Sequence, residues 1–591
     1  MESRRTVRHI SAIDGLRAIA VIAVLLYHLG FNWIPGGFLG VDLFFVISGY
    51  VITRLLLDSI QRSGGLDLRG FYLARIRRLL PALIFMIITT ALFVGVWAPG
   101  TIKRFLTDIP FVLTGTMNWA LVYRHQDYFA SIGRPPLLQH TWSLAVESQF
   151  YLVWPLLLLL VLRRFGKKKI PGAALIIAAI SGGALLLLSM RLDTSNQQSV
   201  SHVYFGTDTH SIGLFLGAAL AVSWIPQNLR TNVSQRAQDF IDGIGVVGLL
   251  GLLACFLFIN EKDPTLYRLA FPLAGIFGCA TIISLVHPAS RFAPLLSSKP
   301  ILWIGERSYA IYLWHWIVFQ VTRPSVDLAG ATWALYALRI LIVFALADIS
   351  LRWIELPFRH GLVESWFRGM KYRTKKVQIR QKSTVILALL SVLIATSLVS
   401  ANAITQGSRA QAALKASLTY IPTVPAVPVP KAEQAFSIWL TGDSVILGIR
   451  YALEQVDPIG LVNARVGRQA AELITVLKHD KVQMQNSPVI LDLGNNNRLT
   501  ESEVAEVFNQ IQNQPQIIIV NTAVPRPWRD DNDLLIAQYA QKYPQAIVVN
   551  WRKISQDHPE YFGPDGVHLV PAGVAAYVGA ILSVLHTPKT N

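Results

Sequence analysis

The chain has 591 residues, 52% of them hydrophobic and 15% charged, with a formal net charge of +18 and a mean hydropathy of +0.43. Soluble domains are about one-quarter charged, so this composition excludes an ordinary soluble globule, and its large apolar surface excludes an intrinsically disordered chain. Two cysteines, Cys255 and Cys279, exclude a disulfide scaffold and any Cys-x-x-Cys metal or redox motif.

Apolar runs of about 16–21 residues, the length that crosses a bilayer, recur over the first 403 positions. They lie near 13–30, 38–57, 80–98, 143–162, 170–190, 210–225, 241–260, 269–286, 303–321, 332–352 and 384–403, and predict eleven membrane helices. Residues 105–122 are also apolar, but Asp108, Pro110 and Asn118 interrupt them, which predicts a re-entrant or interfacial segment. The first run contains Asp14 and Arg17 and leads straight into the second, unlike a cleaved signal peptide. With the N-terminus in the cytoplasm, the predicted inner loops hold 25 Lys and Arg and the outer segments 8. That asymmetry matches the positive-inside rule, and an odd number of spans places everything after residue 403 outside the cell.

Ionisable residues inside spans are costly and mark functional positions. In the first span Arg17 and His28 are eleven residues apart, about three helical turns, which returns to nearly the same face. Asp14 falls on that stripe, and an Asp14–Arg17 pair at the boundary is the simpler structural reading. Arg suits phosphate and His suits proton transfer, so together they could line a path for an acyl-phosphoanhydride donor. The second span opens with Gly36-Gly-Phe-Leu-Gly-Val-Asp42 and continues to Ser48-Gly-Tyr50. Arg75-Ile-Arg-Arg78-Leu-Leu-Pro81 precedes the third span; alone, such a basic run is commonly a topology determinant. His140-Thr-Trp-Ser-Leu-Ala-Val-Glu147-Ser-Gln-Phe-Tyr151 begins the fourth. Val203-Tyr204-Phe-Gly-Thr-Asp208-Thr leads into the sixth. Ile304-Gly-Glu-Arg-Ser308-Tyr-Ala-Ile-Tyr-Leu-Trp-His315 forms the ninth, and Glu355-Leu-Pro-Phe-Arg359 ends the tenth.

Residues 404–435 include Tyr420-Ile-Pro-Thr-Val-Pro-Ala-Val-Pro-Val-Pro430, which predicts an extended, semi-rigid spacer. From 436 onward, short apolar runs at 436–441, 460–463, 488–493, 516–521 and 546–551 alternate with helix-compatible segments. This pattern predicts an α/β domain whose parallel sheet is covered by helices on both faces.

The first of these strands runs into Gly442-Asp443-Ser444 and a helical segment over 445–456. A serine there gains from the helix N-terminus, whose unpaired N–H groups favour an oxyanion. Asp565-Gly566-Val567-His568 lies near the C-terminus. An Asp three residues before a His can hold the imidazole in one tautomer while the other nitrogen deprotonates the serine. Val466-Gly467-Arg468-Gln469 and Leu493-Gly494-Asn495-Asn496-Asn497 each follow a strand directly, where a glycine N–H and an asparagine amide would complete an oxyanion hole. Gly-Asp-Ser by itself is a common helix start, and Asp-x-x-His a common surface turn. The joint order of all four blocks on strand ends carries the chemistry.

The four blocks resemble those of the SGNH hydrolases. The resemblance implies Ser444 as nucleophile, His568 as base oriented by Asp565, and the oxyanion hole formed by Ser444 N–H, Gly467 and Asn496. Asn496 follows from the family's Gly-x-Asn spacing, beside Asn495 and Asn497. Over about residues 10–360 the membrane blocks resemble the acyltransferase-3 family, which takes acyl groups from cytoplasmic acyl-CoA to extracytoplasmic glycans. The family's Arg-x10-His falls on Arg17 and His28, its Arg-x-x-Arg on Arg75 and Arg78, and its glutamate before Phe-Tyr on Glu147. Ser148 stands where many relatives have a second Glu.

The whole arrangement is most similar to the bacterial peptidoglycan O-acetyltransferases. It implies a membrane domain over 1–360, a basic cytoplasmic loop and eleventh span over 361–403, a linker over 404–435 and an extracytoplasmic O-acetyltransferase domain over 436–591. Acetyl-CoA is the expected donor substrate, held near Asp14, Arg17, Arg75 and Arg78. Glu147, Tyr204 and Asp208 are further donor-binding or relay candidates, and His28 is a candidate acid/base. No permanently bound cofactor and no metal are expected. The expected partners are the lipid bilayer and a peptidoglycan or other surface-glycan acceptor, with O-antigen acetylation as the alternative. An acetyl esterase is disfavoured because it needs no cytoplasmic donor, and a transporter because no inverted repeat is visible. The charge also divides by region: residues 1–403 carry +19 and residues 404–591 carry −1. The excess therefore reads as a topology signal, not as nucleic-acid binding.

Overall fold

The computed structural model describes residues 10–585 except 32, 125–133, 191–196, 261–265, 324–326, 329–331, 419–436, 456–457, 466, 527 and 564–565. Among the described residues, nine helices are long and apolar enough to cross a bilayer: Ser11–Leu29, Gly37–Arg62, Leu68–Trp97, Gln139–Phe165, Lys167–Met190, Gln235–Phe258, Arg268–Leu285, Trp333–Arg359 and Lys375–Gln406. They coincide with nine of the eleven predicted spans. The remaining two differ for separate reasons. Near 210–225 lies Ile212–Ser223, whose 12 residues fall short of the ~20 that reach across the hydrocarbon core. Near 303–321 lies Lys299–Val321, whose 23 residues suffice in length. Its hydropathy is diluted by Glu306, Arg307, Ser308, Tyr309, Tyr312 and His315, most of them turned into the protein. The segment 105–122 forms two short helices, Ile102–Leu113 and Met117–Tyr123, separated at Gly115, whose φ is 67°.

Glycines let these helices meet backbone to backbone, the packing available where lipid offers no hydrophobic driving force between helices. A Cβ on Gly305 would stand 2.0 Å from Asp14 O, and one on Gly217 2.1 Å from Val46 O. The helices Ser11–Leu29 and Lys299–Val321 run parallel, with Gly305 against Asp14 at one end and His315 beside His28 at the other. Parallel packing is the relation that strict alternation requires of a first and a ninth span.

The helix Lys375–Leu418 continues through the first fifteen residues of the predicted linker. Residues 404–418 contain no proline and are rich in Ala, Gln and Leu, so nothing in them stops a helix. The prolines begin at Pro422, outside the described residues.

Five parallel strands form the C-terminal sheet: β1 (Ile438–Gly442), β2 (Ile459–Ala464), β3 (Val489–Asp492), β4 (Ile517–Val520) and β5 (Ala546–Val549), ordered β2-β1-β3-β4-β5. Alternate side chains feed two cores. Leu440, Ile490 and Ile518 face the helices Ser444–Glu454 and Pro571–Leu585. Trp439, Leu491 and Ile519 face Ala470–Asp480, Glu501–Ile511 and Arg529–Ala540. The architecture is that expected of an SGNH-like domain. After β1 the chain turns to β2 on one side, and β3 returns on the other. The carboxyl ends of β1 and β3 therefore flank a crevice of the kind in which open α/β sheets bind ligands.

Candidate active site

The Gly-Asp-Ser turn sits in that crevice. Ser444 is the first residue of its helix, and Asp443 caps it, accepting Val445 N–H on Oδ1 at 2.9 Å. Ser444 Oγ is buried and makes no hydrogen bond among the described residues. Asp492, from the end of β3, accepts Asp443 N–H at 2.9 Å and the Asn495 side-chain amide at 3.1 Å. This carboxylate fits only because residue 442 is glycine: a Cβ there would lie 2.1 Å from Asp492 Oδ1. Burial raises the Asp443 carboxyl above its ordinary range, and burial together with the charge of Asp443 pushes Asp492 well above it. Two neighbouring carboxyls in a dry site resist ionising together, which is why the charge of Asp443 adds to burial in raising Asp492.

Asn496 ties three of the four blocks together. Its Nδ2 donates to Asp443 Oδ2 at 2.7 Å and to Arg468 O at 3.1 Å. The Arg468 guanidinium is buried and donates to Gly442 O at 3.2 Å and to Asn463 Oδ1 at 2.9 Å, locking the Gly467 loop onto the ends of β1 and β2. Gly467 has φ 78° and Gly494 φ 93°, left-handed values that suit glycine. Asn532, fully buried, clamps the Gly494 loop by donating to Gly494 O and Asn497 O, both at 2.9 Å, and accepting Leu499 N–H at 2.8 Å. No sequence signal marked Asn532, which sits within the polar run from Arg529 to Asp533 that opens its helix. His568 is half-buried, and its charge acts on Asp443. Asp565 lies outside the described residues.

In the membrane domain the ionisable side chains form a polar column. At one end, His315 Nε2 is 3.2 Å from His28 Nδ1, and His315 Nδ1 is 2.7 Å from Tyr312 O. The carbonyl can only accept, so His315 carries its proton on Nδ1 and presents Nε2 as an acceptor. His140 Nε2 lies 3.1 Å from Leu313 O, and its ring centroid is 5.9 Å from that of His315. The Tyr312 hydroxyl donates to His140 O at 2.8 Å and lies 2.7 Å from Ser143 Oγ, which therefore donates to it. Two turns along the same helix from His140, the Glu147 carboxylate accepts from Ser48 Oγ at 2.5 Å and from Tyr151 OH at 3.0 Å. Arg17, Arg75 and Arg78 act electrostatically on Glu147. Arg17 also pairs with Asp14 at 3.3 Å. Arg75 lies over the Phe71 ring at 5.9 Å, with its Nε buried and unpartnered.

Two predicted residues sit elsewhere. Tyr204 is buried among the rings of Trp142, Phe205, His210 and Phe271, and Asp208 pairs with His202 at 3.0 Å near the surface. Beside Tyr204, His210 Nε2 meets Asp42 Oδ1 at 3.0 Å. His140, Ser48 and His315 lay within the sequence blocks, but nothing local indicated whom each would meet. No group of three His, Cys, Asp or Glu among the described residues is arranged to hold a metal.

A model of the acyltransferase domain family matches residues 10–352. The chain belongs to this family. It is 33% identical to the peptidoglycan O-acetyltransferase OatA of Listeria monocytogenes, over 99% of both chains. It is 32% identical to the O-acetyltransferase OatA of Staphylococcus aureus, over 100% of this chain and 98% of that protein. Identity to the putative peptidoglycan O-acetyltransferase YrhL of Bacillus subtilis is 30%, over 98% of each. Full-length similarity to O-acetyltransferases and the acyltransferase domain establish a membrane-bound acyltransferase.

Proposed function

We propose that the protein moves acetyl groups from cytoplasmic acetyl-CoA to hydroxyls of peptidoglycan sugars outside the cell, through an acetyl-enzyme on Ser444. The observation that carries this reading is the presence in one chain of two unlike sites. One is a polar column running from Arg17 and Arg78 past Glu147 to His28, and the other an unpartnered serine hydroxyl at a helix N-terminus. The acceptor follows from the names of the full-length relatives. The excess of Lys and Arg on the arginine side of the membrane domain supports a cytoplasmic location for that side.

In this reading Arg17, Arg75 and Arg78 attract the donor phosphates; a carrier hydroxyl in the membrane domain attacks the acetyl carbonyl, the C–S bond to CoA breaks, and His28 takes the hydroxyl proton and passes it to the departing thiolate. Outside, Ser444 Oγ attacks the carrier-bound acetyl ester while His568, oriented by Asp565, takes its proton and returns it to the carrier oxygen that leaves. The Ser444 and Gly467 N–H groups receive the oxyanion, and Asn496 joins them by releasing one of its two present acceptors. A sugar hydroxyl, deprotonated by His568, then attacks the acetyl carbon, and Ser444 leaves with the proton. Transfer wins over hydrolysis when the sugar is held in line and water is excluded.

The test uses the full-length protein in liposomes, isotopically labelled acetyl-CoA and peptidoglycan oligomers. Mass spectrometry should find label on the Ser444 peptide and on the oligomer, and Ser444→Ala should lose both. Unchanged oligomer acetylation in that variant would refute the acetyl-enzyme, and free acetate as the only product would favour an esterase.

A further inference from the structure

A recess of about 680 Å³ opens at the arginine end of the membrane domain, between the start of the Leu68–Trp97 helix and the segment after Trp333–Arg359. Arg77, Arg359, His360, Glu364, Phe367 and Arg368 line it. Three guanidiniums therefore face a single carboxylate. Glu364 is already bound to Arg77, whereas Arg359 and Arg368 make no ion pair among the described residues. The Nε of Arg77 is buried without a hydrogen-bond partner among the described residues. The lining keeps a net positive charge, although Glu355 and Asp14 act on Arg359 from behind it, and that charge suits an anion with several oxygens, which the guanidinium fork matches geometrically.

The volume falls within the range of small-molecule sites and exceeds what one phosphate fills. Phe367 is 58% exposed at the rim, an apolar ring available to a flat base or to an acyl chain. The recess also adjoins the polar column: Arg78, next in the chain to Arg77, acts electrostatically on both Arg359 and Glu147.

We propose that this recess is a phosphate-binding site, in which Arg77, Arg359 and Arg368 hold the phosphate groups of a ligand entering at the arginine end of the column. Phosphates held at this water-facing rim stay within the electrostatic reach of Arg75 and Arg78 while the uncharged part of the ligand goes inward, because burying a phosphate beside Glu147 is far costlier. The same chemistry is offered by the phosphates of coenzyme A and by the headgroup of an anionic phospholipid. The first source rests on the acetyl-CoA reading above, and the second does not.

The experiment compares wild type with the Arg359→Ala/Arg368→Ala double variant, full length, in nanodiscs. Both side chains are exposed, so the fold should survive, and equal melting temperatures would confirm it. One arm measures coenzyme A binding calorimetrically in phosphatidylcholine discs. The other measures, by native mass spectrometry, phosphatidylglycerol retained from mixed discs. Coenzyme A affinity weakened at least tenfold assigns the site to the donor; phosphatidylglycerol retention reduced at least threefold with coenzyme A affinity unchanged assigns it to lipid. Arg359→Lys/Arg368→Lys, which keeps charge but loses the fork, should fall between wild type and the alanine variant. The proposal is overturned if the alanine variant changes neither quantity by more than twofold. Wild type that binds no coenzyme A would defeat the acetyl-CoA reading separately, leaving the lipid arm to decide the recess.

Discussion

Asn496 donates to the Asp443 carboxylate at 2.7 Å, so the amide proposed for the oxyanion hole also braces the cap of the nucleophile's helix. In the proposed mechanism one side chain would thereby couple the geometry of Ser444 to the stabilisation of charge on the acetyl oxygen. Asn496→Ala should lower acetyl transfer by about 10²–10³-fold, the range for loss of one oxyanion donor. It should also loosen the turn, because Asp443 Oδ2 loses its amide donor. Single-turnover acetylation of Ser444 would show the rate loss, and a loss under tenfold would remove Asn496 from the hole.

The raised carboxyls of Asp443 and Asp492 predict a pH dependence. A folded-state carboxyl raised above its unfolded value contributes stability that is complete below the unfolded pKa and is lost as pH rises through the folded one. Stability of the C-terminal domain should therefore decline as pH rises from about 4 through the raised value of Asp492. Asp492→Asn removes the titrating proton and should flatten that decline. Hydrogen-exchange protection of peptides covering β1 and β3, corrected for intrinsic rates, would measure it in the full-length protein. Equal pH slopes in variant and wild type would place the proton elsewhere.

His28 and His315 face each other across two helices and should act as one unit. His28→Ala and His315→Ala are each expected to slow acetyl transfer by about 10²–10⁴-fold, the range for lost acid–base catalysis. The double variant should be little worse than either single one, because residues acting together are non-additive. Rates of glycan acetylation in the four proteins decide this, and multiplicative losses would show two independent roles.

Helix contact at Gly305 is the structural condition for that histidine pair. Gly305→Ala puts a Cβ where Asp14 O stands at 2.0 Å, and overpacking of this kind costs about 1–3 kcal/mol. Both the melting temperature in detergent and transfer should fall. Gly172→Ala is the control: a Cβ there meets nothing within 4 Å, and the helix should gain about 0.5–1 kcal/mol. Equal melting of the two variants would show that the glycine contact is not what seats these helices.

The strands of the C-terminal domain were legible to within about two residues, because a buried parallel strand is a short apolar run whatever surrounds it. Nine spans were legible for the same reason of local composition. Lys299–Val321 shows the limit: its polar residues lower its hydropathy because they face the protein interior, and a hydropathy scan cannot see which face meets lipid. The helix Lys375–Leu418 runs into the predicted linker for a local reason, since no proline occurs in the chain between residues 375 and 418.

Sequence alone determined the two-part design, the polar blocks and the concentration of positive charge in the first 403 residues, all of which follow from residue types and short spacings. Only the tertiary structure decided which groups meet. His28 finds His315 across 287 residues, Ser48 finds Glu147 across 99, and Asn496 finds Asp443 across 53. The physical reason is that such contacts are set by how helices pack at their glycines and how strands order in the sheet. Those are relations between distant segments that no local period encodes.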